Sequence, residues 1–76
     1  MKRYFFDVVG PGRPDYYDYS GRNFSTPGKA YELAEFMACD LAVSCDESNG
    51  WCVKVRSPEG AMIFSVPVTP SYLGAA

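Results

Sequence analysis

Apolar side chains recur along this chain with two periods, and each period predicts an element. From Lys2 to Val9, aromatic and β-branched residues dominate, which is the composition of a strand. Successive strand residues point to opposite faces, so Tyr4, Phe6 and Val8 share one face while Arg3, Phe5, Asp7 and Val9 share the other. Gly10-Pro11-Gly12-Arg13-Pro14 then stops the strand with a run of turn formers. The next stretch, Asp15-Tyr16-Tyr17-Asp18-Tyr19, is predicted to pair back as a short second strand. Ser20-Gly21-Arg22-Asn23 ends it, and Phe24 is expected to drop its ring at the edge of the core.

The period changes at Thr26-Pro27, a helix start with Thr26 as N-cap and Pro27 in the first helical position. Nothing breaks a helix from there to about Ser44. Ala30, Leu33, Ala34, Met37, Ala38 and Leu41 recur at spacings of three and four and form one stripe, with Glu32 and Glu35 pointing away from it. Asp46-Glu47-Ser48-Asn49-Gly50 reads as a polar loop. Alternation then returns in Trp51-Cys52-Val53-Lys54-Val55-Arg56, with Trp51, Val53 and Val55 facing inward. Ser57-Pro58-Glu59-Gly60 has proline and glycine where a hairpin turn wants them. Met62, Phe64, Val66 and Val68 are expected to continue the inward face. Pro67 cannot donate to a ladder, which marks this last strand as an edge.

The order is therefore ββαββ. One helix covers only one face of four strands, so the expected class is α+β: a two-layer sandwich with one helix packed on a four-stranded antiparallel sheet. Residues 1–69 are expected to make a single domain and 70–76 a flexible tail.

Composition narrows the partners. With 76 residues, the chain hides only about 60% of its unfolded surface on folding. The 47% apolar and 16% aromatic fractions supply enough material for one core. A net charge of −2 with 21% charged residues fits neither a disordered polyelectrolyte nor a basic nucleic-acid coat. No apolar run reaches the roughly 18 residues of a membrane span, and Asp7 interrupts the only stretch resembling a signal peptide. Three cysteines, Cys39, Cys45 and Cys52, have no framework spacing. On one helix Cys39 and Cys45 lie about 9 Å apart, beyond disulfide reach, so reduced thiols and a cytoplasmic setting are expected.

Arg3-Tyr4-Phe5-Phe6-Asp7 resembles the start of a family of short bacterial proteins of unknown function, which open on RYFF followed by Asp or His. The resemblance runs through Asp18, Gly21 and Phe24, the alanine-rich helix at Ala30 and Ala34, Val53-Lys54-Val55-Arg56, Pro58-Glu59-Gly60 and Val66-Pro67. The tyrosine-rich stretch and the cysteines depart from that pattern. The resemblance covers nearly the whole chain on motifs that are mostly structural in character, and it brings no activity, cofactor or catalytic residue.

The residues themselves argue against catalysis. The chain has no histidine, which removes the commonest general base and metal ligand. No CxxC pair offers a zinc site. Lys54 and Arg56 follow Cys52 on one strand face, but cationic neighbours without a base are a weak nucleophile signature. Carboxylates at Glu32, Glu35, Asp46 and Glu47 lack an apolar cleft that would split their pKa values. Gly28-Lys29 lacks the rest of a phosphate loop. No enzyme, cofactor or metal is expected.

Two surfaces remain. The uncovered sheet face carries Arg3, Phe5, Cys52, Lys54, Arg56 and Ile63, mixing cations with apolar groups. The helix carries Phe36 and Val43, seven apart with Cys39 between them, on a stripe roughly opposite the core. Together they predict a non-catalytic protein-interaction module, self-associating as a homodimer, with any further protein partner unknown. The alternative is a small nucleic-acid-binding regulator that stacks bases on the open sheet face.

Overall fold

A computed structural model describes residues 1–45 and 47–69. It contains strand β1 (Lys2–Val9), strand β2 (Arg22–Phe24), helix α1 (Pro27–Ser44), strand β3 (Cys52–Arg56) and strand β4 (Met62–Pro67). The strands form one sheet in the order β2-β1-β3-β4, and every neighbouring pair is antiparallel. β2 and β3 therefore run parallel to each other, and α1 crosses over β1 to join them. The expected ββαββ sandwich is the observed one. The expected tail 70–76, and Asp46 within the expected polar loop, lie outside the described residues.

Local chemistry sets the helix boundaries. Thr26 is extended, with φ −141° and ψ 155°, and its Oγ1 accepts from the Lys29 N–H at 3.3 Å, satisfying one of the free donors of the first turn. At the other end the Cys45 N–H donates to the Leu41 carbonyl at 3.0 Å. The Ser57 carbonyl accepts from the Gly60 N–H at 2.9 Å, which closes the β3–β4 turn. The φ of +94° at Gly60 is a conformation that a Cβ disfavours.

The core lies between α1 and one sheet face. Tyr4, Phe6 and Val8 of β1, Val53 and Val55 of β3, and Val66 and Val68 are buried there with Trp51. Against them sit Ala30, Ala34, Ala38 and Ala42, all buried. Small side chains at every fourth position let the helix approach the large strand residues closely. The expected helix stripe shifts accordingly: Ala42 joins its centre, while Leu33, Met37 and Leu41 pack half-buried along its flanks. Phe24 lands as expected, with its ring 5.9 Å from Phe6 and 6.3 Å from Tyr4.

Two expectations fail for identifiable reasons. The predicted second strand at 15–19 is reduced to a single bridge between Val8 and Tyr16, and the strand proper comes later, at Arg22–Phe24. Between them, the Asp18 side chain replaces the main chain as partner of β1, accepting from the Phe6 N–H at 3.2 Å. Met62 was expected to face inward. The β3–β4 register slips between Val55 and Arg56, pairing Val55 with Phe64 and Arg56 with Met62. This bulge leaves Ile63 as the extra residue and puts Met62, 56% exposed, on the open face opposite Arg56.

Candidate functional site

On the open face, β1 and β3 bring Asp7 and Arg56 together. The register pairs Phe5 with Arg56 and Asp7 with Lys54, so the long Arg56 side chain reaches diagonally to Asp7. Arg56 Nε donates to Asp7 Oδ2 at 2.7 Å and Nη2 donates to Oδ1 at 3.0 Å. This two-pronged geometry suits a guanidinium and a carboxylate. The Asp7 side chain is 5% exposed. Its Oδ1 also accepts from the Asp18 N–H at 3.0 Å, and Arg56 Nη2 donates to the Asp18 carbonyl at 3.0 Å. The ion pair thus fastens the loop after β1 to the sheet.

Asp18 fixes the loop from within. Besides the Phe6 N–H, its carboxylate accepts from the N–H groups of Ser20 and Gly21, each at 3.1 Å. Gly21 has φ +71°, and a Cβ there would lie 2.6 Å from Arg3 Cγ and 2.9 Å from Phe5 Cε1. Only glycine fits that turn without displacing its neighbours. Partial burial alone would raise the Asp18 pKa. The backbone donors of Gly21, Phe6 and Ser20, with the Arg56 charge, together outweigh it and hold the carboxyl below its ordinary value of 3.8.

The remaining sheet-face candidates spread out around this cluster. Arg3 Nη1 donates to the Ser20 carbonyl at 3.1 Å. Phe5 is half-buried, with the Arg56 guanidinium 5.1 Å from its ring centroid, within cation–π range. Lys54 is half-buried beside them, and Ile63 is 38% exposed at the bulge. Cys52 Sγ lies 2.8 Å from Ser65 Oγ. The structure therefore gathers Phe5 and Arg56 closely and leaves Ile63 at the edge strand.

Across the molecule, Phe36 is 69% and Val43 73% exposed on the outward side of α1, and Cys39 between them is exposed too. Phe36 also borders an open groove of about 460 Å³ between α1 and the loop, lined by Phe6, Tyr16, Arg22, Leu33 and Met37 among others. The sheet face and the helix stripe are two separate surfaces on opposite layers. No cluster of His, Cys, Asp or Glu that could hold a metal ion occurs among the described residues, and no helix there is long and apolar enough to cross a membrane.

The family model of a domain of unknown function, DUF6894, matches residues 3–69. The chain belongs to that family. No curated protein and no solved structure matches it. The matched span of this DUF6894 domain covers β2, α1, β3 and β4 entirely and all of β1 except Lys2. It also includes Asp7, Asp18, Gly21 and Arg56.

Sequence reasoning missed the Asp7–Asp18–Arg56 cluster. Its one-dimensional signals were a lone acid inside an apolar strand and an Asp three residues before a Gly. Chemically the cluster is saturated: each Asp18 oxygen has a donor, and Asp7 holds a guanidinium on both oxygens. It is built to hold backbone in place.

Its ionisation sets an acid limit on stability. Because the folded Asp18 pKa is lowered, its contribution is complete above the unfolded value and is lost as pH falls through the folded one. Thermal melts of the wild type and Asp18→Asn should therefore differ most at neutral pH. The gap should narrow as pH falls below the ordinary carboxylate value of 3.8. A gap that stays constant over that range would show that the Asp18 charge does not hold the loop.

Proposed function

We propose that this chain is a non-catalytic protein-interaction module that pairs with a second copy of itself through the outward stripe of α1. The observation that carries the reading is the exposure of Phe36, 69%, and Val43, 73%, on a helix whose Leu33, Met37 and Leu41 pack partly buried against the core. Aromatic side chains are enriched at the centres of interfaces. Tyr16, 51% exposed, lines the groove that Phe36 borders, so the apolar surface continues from the helix onto the loop.

The sheet face supports association less well. Its central cation is engaged by Asp7 and its one aromatic ring lies beneath that cation. The same engagement weakens the nucleic-acid reading, which needs free cations to follow phosphates; the net charge of −2 adds to that. The absence of histidine from the sequence and the saturation of the buried carboxylates support a non-catalytic role. Cys39, Cys45 and Cys52 are free thiols, which favours the reducing conditions of a cytoplasm.

Light scattering tests the reading. The wild type should have the mass of a dimer, and Phe36→Glu the mass of a monomer with an unchanged circular dichroism spectrum. Phe5→Glu should keep the dimer mass. If Phe5→Glu dissociates the protein and Phe36→Glu does not, the interface is the sheet face. A monomeric wild type overturns the reading.

A further inference from the structure

We propose that the groove between α1 and the loop before β2 binds a small amphipathic carboxylate, with its apolar body against the helix and its carboxylate on Arg22. The site goes beyond the self-association above and does not rest on it. The groove holds about 460 Å³, within the range of small-molecule sites. Leu33, Phe36 and Met37 line it from α1, Phe6 from the sheet and Tyr16 from the loop.

Strand register places a cation in this apolar setting. Arg22 pairs directly with Tyr4, and directly opposed strand residues carry their side chains on the same face. Tyr4 is buried under the helix, so Arg22 projects from the helix-covered face. Phe24, two residues further along β2, has the same phase, and its ring packs on Tyr4 and Phe6. At the sheet edge Arg22 stays exposed and lines the groove.

Its charge is unmatched there. Among the described residues, Asp18 is the one acid in the lining. Its carboxylate is already held by the N–H groups of Phe6, Ser20 and Gly21, and Arg56 donates to its carbonyl. Arg3 donates to the Ser20 carbonyl and Arg56 grips Asp7, whereas Arg22 joins no ion pair among the described residues. A guanidinium presents paired N–H donors that fit a carboxylate. A ligand carrying that group supplies what the groove lacks, while its apolar body covers Phe36 and Tyr16, both exposed. An inward charge on an edge strand also discourages pairing with another chain, but that role calls for no apolar groove beside it.

Octanoate is the probe, titrated into the isotopically labelled full chain and followed by amide chemical shifts. Shifts should centre on Gly21, Arg22, Leu33 and Met37, with a Kd of about 1–10 mM for a ligand this small. Hexanoate should bind about fourfold or more weakly, because two methylenes no longer cover the helix side. Arg22→Gln should weaken octanoate about fivefold, the upper end for an exposed charge pair, and leave the binding of 1-octanol unchanged. Val43 lies outside the groove, so Val43→Glu should bind octanoate at least as tightly as the wild type, whatever its mass by light scattering. Equal affinity of the wild type for octanoate and octanol, shifts centred away from the groove, or no shift at about tenfold that concentration would each overturn the site and leave Arg22 as a guard of the sheet edge. None of these results bears on self-association, which the masses decide separately.

Discussion

Asp7→Ala should destabilise the fold by about 2–3 kcal/mol, below the roughly 3–5 kcal/mol of a fully buried ion pair because Arg56 keeps partial access to water. The reason lies less in the attraction lost than in what is left behind. Arg56 would keep a charge on a side chain only 30% exposed, above a phenylalanine ring and a sheet. The Asp18 N–H would lose the carboxylate that it now meets at 3.0 Å, and a part-buried unsatisfied donor adds its own penalty. Against a total stability of roughly 5–15 kcal/mol for a small domain, such a loss moves the urea midpoint far enough to be unmistakable. Arg56→Ala strands the Asp7 charge instead and should cost a similar amount. The Asp7→Ala, Arg56→Ala double variant should cost clearly less than the sum of the two, because the charges are removed together. Urea melts of the four proteins close the cycle. Were Asp7→Ala to cost under about 1 kcal/mol, the pair would behave as an exposed one, and its role in fastening the loop would fail.

The cluster is also where the sequence stops being legible. Its contacts join residues 11 and 49 positions apart, and no local period encodes them; they appear only once the β1–β3 register is known. The same limit explains the misplaced second strand. Tyr16, Tyr17 and Tyr19 have high strand propensity, yet the side chain of Asp18 among them competes for the backbone donor that a strand would have used. Met62 fails differently: strict alternation assumes an unbroken ladder, and one bulge reverses parity beyond it. Where chemistry is local, reading is direct. Thr26-Pro27 starts the helix, Trp51 to Val55 alternates as it should, and Pro58 to Gly60 turns. The outward stripe at Phe36 and Val43 was legible for the same reason, since helical phase alone places those residues. The alanine centre of the helix was legible in phase but not in consequence: spacing says which residues face the sheet, and only the packing shows that their smallness sets the distance.

The opening strand, Arg3-Tyr4-Phe5-Phe6-Asp7, carries aromatic rings on both faces, and the two rings should answer to the same substitution in opposite ways. Phe6 is 3% exposed among the helix alanines, Val55 and the Phe24 ring. Phe6→Glu would put an unpaired carboxylate into that core. Burying it charged is far too costly, so the side chain must protonate, find water or unfold the domain. Even the loss of the ring alone, as in Phe6→Ala, is worth about 3–5 kcal/mol. Phe6→Glu should therefore be unfolded at neutral pH, with its helical circular dichroism signal gone. Phe5 lies on the other layer, half-buried with a guanidinium 5.1 Å from its ring. A glutamate there meets Arg56 as a second carboxylate and keeps access to water, so Phe5→Glu should stay folded with a modest loss in melting temperature. The contrast tests which face of β1 the helix covers. A folded Phe6→Glu beside an unfolded Phe5→Glu would place the core on the wrong side of the sheet, and the positions of Asp7 and Arg56 on the open face would fall with it.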